Sequence, residues 1–206
     1  MSPPDLDSLA AADVSEAAAL HARAFETFFL TSLGEPFLRV FYSGFVTDPD
    51  AVTVVTRDDA GHVVGLVVGT VAPEGFFRRL VLTRAPQLAV ASLRAVARHP
   101  RTAMRILRGL AYRGQTPVET TGALLSSICV DPDVEHTGHG RRLIDEWWCR
   151  VQTRGADSAH LTTDADDNER VNDFYRKAGW TLIGEYATRE GRRMKCYGIS
   201  AEKVVR

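Results

Sequence analysis

The sequence predicts a single α/β domain, and three observations predict it. β-Branched runs pair across short polar turns, stretches of helical periodicity lie between them, and no Gly/Ser-rich or Pro-rich tract divides the chain. The 206 residues, 45% apolar and 25% charged, suit one sizeable core. A net charge of -1 excludes a surface built as a whole for nucleic acid or anionic lipid. Met1 to Leu9 lack the basic start and apolar core of a signal peptide, and no apolar run approaches the ~18 residues of a membrane span, so a cytoplasmic protein is expected. The three cysteines, Cys129, Cys149 and Cys196, each fall in an apolar strand or helix pattern and read as buried free thiols.

Asp13 followed by Glu16 reads as a capping box for a first helix running from Val14 to Phe28, interrupted by Leu33 and Gly34. Phe37, Leu38, Val40, Phe41 and Phe45 mark a second helix that ends before Asp48. Ala51 to Arg57 and Val63 to Val71 form a hairpin through the turn 58–61. The stretch 74–121 then changes composition: nine arginines and no lysine stand against Glu74 and Glu119, a formal charge of +7. Its periodicity predicts two helices meeting at His99 and Pro100, and it reads as an Arg-rich helical insertion before a third strand, Gly122 to Val130. A helix with apolar positions 143, 144, 147, 148 and 151 follows and stops at Gly155. A strand at Ala159 to Thr163, a helix carrying Val171, Phe174, Tyr175 and Ala178, and a hairpin of 180–186 with 193–199 complete the chain.

Two segments carry chemistry. In Ser127-Ile-Cys-Val-Asp-Pro-Asp-Val-Glu-His-Thr-Gly-His-Gly-Arg-Arg-Leu-Ile144 a buried strand feeds a loop whose Gly138 and Gly140 admit a ligand close to the backbone, and a helix starts directly after. Free amides and the dipole at that helix start suit a pyrophosphate. There is no Gly-Lys-Ser/Thr of a triphosphate loop and no third glycine of the dinucleotide fingerprint, and taken alone the loop is as readily a plain strand-to-helix turn. The second segment is Asp167-Asn-Glu-Arg-Val-Asn-Asp-Phe-Tyr-Arg-Lys-Ala-Gly-Trp180.

Val130-x-Pro132, Gly138-x-Gly140 opening a helix, Asn168, Phe174-Tyr175 and Ala178-Gly179-Trp180 together resemble the GNAT superfamily of acetyl-CoA-dependent N-acetyltransferases. The resemblance implies a GNAT-like central mixed sheet in which the strands at 122–130 and 159–163 splay apart and hold pantetheine between them. It further implies that the Ile128 and Val130 backbones pair with the pantetheine amides and that His136, Thr137, Gly138, His139, Gly140 and Arg141 cradle the pyrophosphate. Asn168 would contact the cofactor arm, and Tyr175 would protonate the departing thiolate, a role open to a phenol of pKa ~10 in a poorly solvated cleft. A strand amide near Cys129 would stabilise the oxyanion. The chain departs from the family at Glu135, where the family has Gln or Arg, and at Leu124, where one branch keeps a glutamate base.

Simpler roles stand beside these. Tyr175 on an apolar helical face suits a core residue, and Asn168 suits a helix cap. His136 and His139 lack a third ligand in spacing, so no metal is expected. Cys129 has no activating neighbour in sequence and reads as inert core rather than nucleophile. His21, Phe25, Phe28, Phe29 and Thr31 fall where the family shapes its acceptor pocket, and Asp164, Glu119, His21 or water are the options for taking the amine proton.

The expected activity is direct acetyl transfer from acetyl-CoA to a primary amine of a small molecule. Arg94, Arg98, Arg101, Arg105 and Arg108 recur at helical spacing, which suits either a solvated face or the capture of an anionic acceptor such as an amino sugar or nucleotide-linked sugar. The rival classes are a binding or regulatory module docking through those arginines on an anionic surface or partner, and a protein N-terminal or lysine acetyltransferase. No nucleic-acid partner and no membrane span are expected; a homodimer is left open.

Overall fold

The computed structural model describes residues 6–26, 28–98, 117–134, 137–188 and 191–201, with the backbone alone for 94–98. Seven strands form one sheet in the order β1-β2-β3-β4-β5-β7-β6, with β1 Leu6–Asp7, β2 Ala51–Arg57, β3 Val63–Thr70, β4 Ala123–Val130, β5 Ser158–Asp164, β6 Thr181–Ala187 and β7 Arg193–Ser200. Every neighbouring pair is antiparallel except β4 and β5. β2 and β3 are almost wholly buried, which is why they read as continuous β-branched runs.

Helices cover both faces. On one side lie α1 (Val14–Ala24), the short α2 (Phe29–Ser32), α3 (Glu35–Thr47) and α4 (Pro73–Arg98). Leu20, Leu38, Phe45 and Phe76 from these helices pack on Leu66 and Val68 of β3. The other side carries α5 (His139–Thr153) and α6 (Glu169–Lys177), whose Leu143, Trp147 and Tyr175 meet Val54, Val67 and Leu161. Alternate residues of β3 thus serve the two cores. Trp147 is fully buried and its indole N–H donates to the Val52 carbonyl at 3.0 Å, tying α5 to β2.

The capping box expected at Asp13 and Glu16 is not formed. The Asp13 carboxylate accepts from the Ala10 amide (2.9 Å) and pairs with Arg57 (2.8 Å), while Glu16 accepts from the Val63 amide (2.8 Å). Both acids therefore fasten α1 to the β2–β3 hairpin. The first helix also ends sooner than its periodicity suggests, since Phe25 leaves helical geometry and Phe28 starts the separate α2.

The Arg-rich stretch opens with a helix that shares the core. α4 runs unbroken through Pro86, and its Phe76, Leu80 and Leu88 are buried in the core beside α3. Arg79 pairs with both Asp48 and Asp50 at the end of α3, which holds the Asp48 carboxyl below the usual carboxylate range against the opposing effect of its partial burial. The expected break at His99 and Pro100, the second helix, and Arg101, Arg105, Arg108 and Arg113 lie outside the described residues.

β4 carries one irregularity that positions the site. Val68 pairs with Ser127 and Gly69 with Leu125, so Ser126 is an extra residue, a β-bulge. Before it, Leu125 packs toward α5; after it, Cys129 packs toward α1. Gly69 lies opposite this bulge, where a Cβ would come within 2.4 Å of the Leu124 carbonyl and 2.5 Å of the Trp147 ring. Gly69→Ala is expected to destabilise the protein by about 1–3 kcal/mol through overpacking, read by chemical denaturation; an unchanged midpoint would show that the contact relaxes without cost.

Candidate active site

The ladder between β4 and β5 holds at only two positions, Ala123↔Ala159 and Leu124↔His160. Beyond them, from the bulge onward, the strands diverge around a cleft of about 1060 Å³. Ser126 to Val130 line one wall and Leu161 to Asp164 the other.

Which backbone groups of β4 face this cleft follows from the β3–β4 register. The Asp131 amide donates to the Val64 carbonyl at 2.8 Å, so this opposed pair is a hydrogen-bonded one. Such pairs recur at every second residue of an antiparallel ladder. Cys129 opposite Leu66 and Ser127 opposite Val68 therefore turn their amides and carbonyls to β3, whereas Ile128 and Val130 turn theirs to the cleft. The Cys129 amide itself points away from the cleft, and the strand amides near it that face the cleft are those of its two neighbours. The Cys129 side chain lines the cleft, yet burial pushes its thiol up to about 12, so it stays protonated.

The loop after β4 leads into α5 through Gly138, which has a left-handed backbone (φ 85°) and is the N-cap. The Arg142 amide is the first to close onto the helix, bonding the Gly138 carbonyl at 3.1 Å. The amides of His139, Gly140 and Arg141 precede it and have no acceptor within the helix. Gly138, His139, Gly140 and Arg141 all line the cleft, so these donors and the positive end of the helix dipole meet its open end. A Cβ on Gly140 would meet Phe174 and Val130 at ordinary contact distances, so the conformational demand for glycine rests on Gly138. Thr137 holds the loop by donating to the Val134 carbonyl at 2.6 Å. The Arg141 side chain turns along the helix to Asp145 and across to the Lys177 carbonyl. His136 and Glu135 lie outside the described residues.

Across the cleft, the Asn168 amide nitrogen donates to the Thr163 hydroxyl (2.9 Å) and the Asp164 carbonyl (3.1 Å), fastening the start of α6 to the end of β5. It occupies the N-cap position without making a side-chain cap. Asn172, one turn on, donates to the same Asp164 carbonyl and accepts from the Tyr197 hydroxyl. α6 is thereby set so that Phe174 and Tyr175 line the cleft. Tyr175 is buried among Phe174, Trp180 and Tyr197, and desolvation raises its pKa well above that of a free phenol. It serves as core and cleft wall at once, and its hydroxyl keeps its proton at neutral pH.

The opposite end of the cleft is aromatic. His21, Phe25, Phe28 and Phe41 line it, and the Arg192 guanidinium lies 5.3 Å from the centre of the Phe28 ring while pairing through two bonds with Asp164. Of the options for taking an amine proton, Asp164 is engaged by Arg192, Glu119 is exposed and outside the lining, and His21 lies within it. Phe29 and Thr31 do not line the cleft. Sequence reasoning missed Tyr42, Ser126, Ser127 and Arg192. The adjacent serines inside an apolar strand were a readable sign of a bulge, whereas Arg192 sits in a turn whose sequence gives no such sign.

The family model for the GNAT acetyltransferase domain matches residues 103–182, the span that holds β4, α5, β5 and α6. Over this span the chain is similar to the GNAT acetyltransferases. No curated protein matches the sequence. Among solved structures, the fold is shared with SsHAT (20% identity, 97% of this chain and 99% of that one, TM-score 0.65). It is also shared with the ribosomal-protein-S18-alanine N-acetyltransferase of Escherichia coli (15% identity, 98% and 99%, TM-score 0.57). An aminoglycoside 6'-acetyltransferase type Ii is similar to the same extent (14% identity, 95% and 96%, TM-score 0.60). The chain has the mixed sheet, flanking helices and divergent parallel pair expected from its motifs, and the matched domain supports an acyltransferase. No helix among the described residues is long and apolar enough to cross a membrane.

The three thiols of the protein give a direct check. Cys149 is exposed, whereas Cys129 and Cys196 are buried with thiol pKa values raised to about 12 and about 11. Titration of the native protein with a thiol-specific reagent should show Cys149 reacting promptly and the other two only on unfolding. Prompt reaction of Cys129 would revive it as a nucleophile.

Proposed function

We propose that the protein transfers acetyl from acetyl-CoA to a primary amine of a small molecule, directly and without an acyl-enzyme. The observation that carries the reading is the pairing of two unfilled backbone surfaces in one cleft: the Ile128 and Val130 edge of β4, and the free amides at the start of α5. An extended pantetheine offers amides at strand-like spacing to the first, and a pyrophosphate suits the second. Acetyl-CoA supplies a thioester, an activated acetyl carbon whose sulfur leaves as a thiol.

The chain's own residues account for the remaining work. Ile128, Val130 and the amides of 139–141 position the donor, with Thr137 and Gly138 shaping the loop; Asn168 braces α6 and the cofactor arm. Tyr175 holds a proton in a desolvated wall and delivers it to the departing sulfur, whose developing thiolate is itself made more basic by the loss of water. The protonated Cys129 argues for direct transfer. The +7 of residues 74–121 favours an anionic acceptor such as an amino sugar or nucleotide-linked sugar, through guanidinium forks that match phosphate; Arg94 and Arg98 lie at the end of α4.

Tyr175→Phe is expected to lower turnover on the order of 10²-fold with acetyl-CoA affinity nearly intact, measured by steady-state kinetics beside calorimetry. Full activity in that variant, with chemistry rate-limiting, would return Tyr175 to a packing role. Gly138→Val places a β-branched residue at positive φ, a cost of roughly 1–2 kcal/mol that the loop escapes by leaving the left-handed region. Acetyl-CoA binding should weaken by about tenfold or more in this folded variant; wild-type affinity would remove the loop from the binding site.

A further inference from the structure

We propose that His21 is the group to which the attacking amine gives its proton, with Tyr42 holding the imidazole in the tautomer that leaves Nε2 bare. This rests on the acetyltransferase reading above and deepens it by naming the acceptor side of the site.

His21 projects from α1 into the cleft lining and is 1% exposed. Its Nδ1 lies 2.7 Å from the hydroxyl of Tyr42 on α3, itself fully buried, while Nε2 has no hydrogen-bond partner among the described residues. Leaving such a nitrogen bare in a folded core costs about 1–3 kcal/mol, so a polar group that fills the gap is strongly favoured. A second bare polar atom supports the same occupant. The hydroxyl of Ser126, a lining residue on the bulge of β4, is also buried and also lacks a partner among the described residues. Both atoms belong to residues that line the cleft, and the N–H bonds of a bound amine are donors suited to either.

The surroundings separate His21 from the other bases. Asp164 is held by Arg192 and Asp131 by Arg23, and Glu119 is outside the cleft lining. Phe25 and Phe28 pack against the imidazole at ring-centre distances of 4.8 and 6.3 Å, and they exclude water from it. Burial lowers its pKa to about 4, so the ring is neutral and able to accept at neutral pH. Its weak basicity before reaction is not the relevant quantity. As the C–N bond forms, the amine nitrogen becomes cationic and acidic while the acetyl oxygen becomes negative, and that oxygen stabilises an imidazolium in the same dry cleft. One proton passes from nitrogen to Nε2, the C–S bond breaks, and sulfur takes the Tyr175 proton. The proton on His21 then leaves to restore Tyr175 through solvent, so amine and thioester become amide and thiol with none gained or lost.

The tautomer gives a test that does not depend on turnover. In ¹⁵N-histidine spectra of the wild-type protein near neutral pH, His21 should be neutral with the proton on Nδ1; a proton on Nε2 overturns the assignment. Kinetics with acetyl-CoA and a panel of primary alkylamines supply the second arm. His21→Ala should lose on the order of 10² in kcat with acetyl-CoA affinity unchanged by calorimetry, and added imidazole should restore part of it. Tyr42→Phe should lower kcat more than KM and shift the His21 spectrum toward mixed tautomers. Wild-type turnover in folded His21→Ala, or a loss that imidazole does not restore, sinks the role of His21 alone. Failure of the wild-type protein to acetylate any amine sinks the acetyltransferase reading and this role with it.

Discussion

The structure depends on a sheet that stops pairing early along the parallel junction of β4 and β5. β4 and β5 are joined at two residues and then part, and the divergence begins where Ser126 is inserted as a bulge. An interior strand with an unpaired edge is costly, because buried amides and carbonyls need partners. Here the edge is left by design of the register: alternate residues of β4 are consumed by β3, and Ile128 and Val130 are not. A ligand able to act as a strand supplies what the protein withholds, and the helix start at α5 extends the same logic to a phosphate group.

The second constraint is dryness. The cleft brings together groups that titrate in water, yet burial drives each toward its neutral form: the His21 imidazole, the Tyr175 phenol and the Cys129 thiol. Two acids beside it are held in ion pairs, Asp164 by Arg192 and Asp131 by Arg23. Neutral donors and acceptors are ready to exchange protons only when charge develops between them, which suits amide formation from an amine and a thioester. The same environment disfavours a thiolate nucleophile, so the position of Cys129 on the central strand does not make it reactive.

Much of this was legible because the signals were local. Continuous β-branched runs gave β2 and β3, the 3.6-residue spacing of Leu143, Trp147 and Val151 gave α5, and the glycine before His139 gave its start. What stayed hidden depended on distance in the chain. Asp13 and Glu16 look like a helix cap in sequence but bond to a hairpin 44 and 47 residues away. The direction of the Cys129 amide depends on a register set by β3, and the Tyr42 contact to His21 spans two helices. Pro86 inside α4 shows a local preference overridden by packing, where Phe76, Leu80 and Leu88 anchor the helix. The pairing of Asp164 with Arg192 joins a strand end to a turn that only the fold brings near it.

The account's central claim is that the free edge of β4 is completed by pantetheine. Amide hydrogen exchange, followed residue by residue with and without saturating acetyl-CoA, tests it most directly. In the free protein the Cys129 amide should already be protected by its bond to β3, while Ile128 and Val130 exchange much faster. On addition of acetyl-CoA the latter two should become strongly protected together, with Cys129 little changed. Saturable binding of acetyl-CoA that leaves the Ile128 and Val130 amides exchanging at their free rates would contradict the claim.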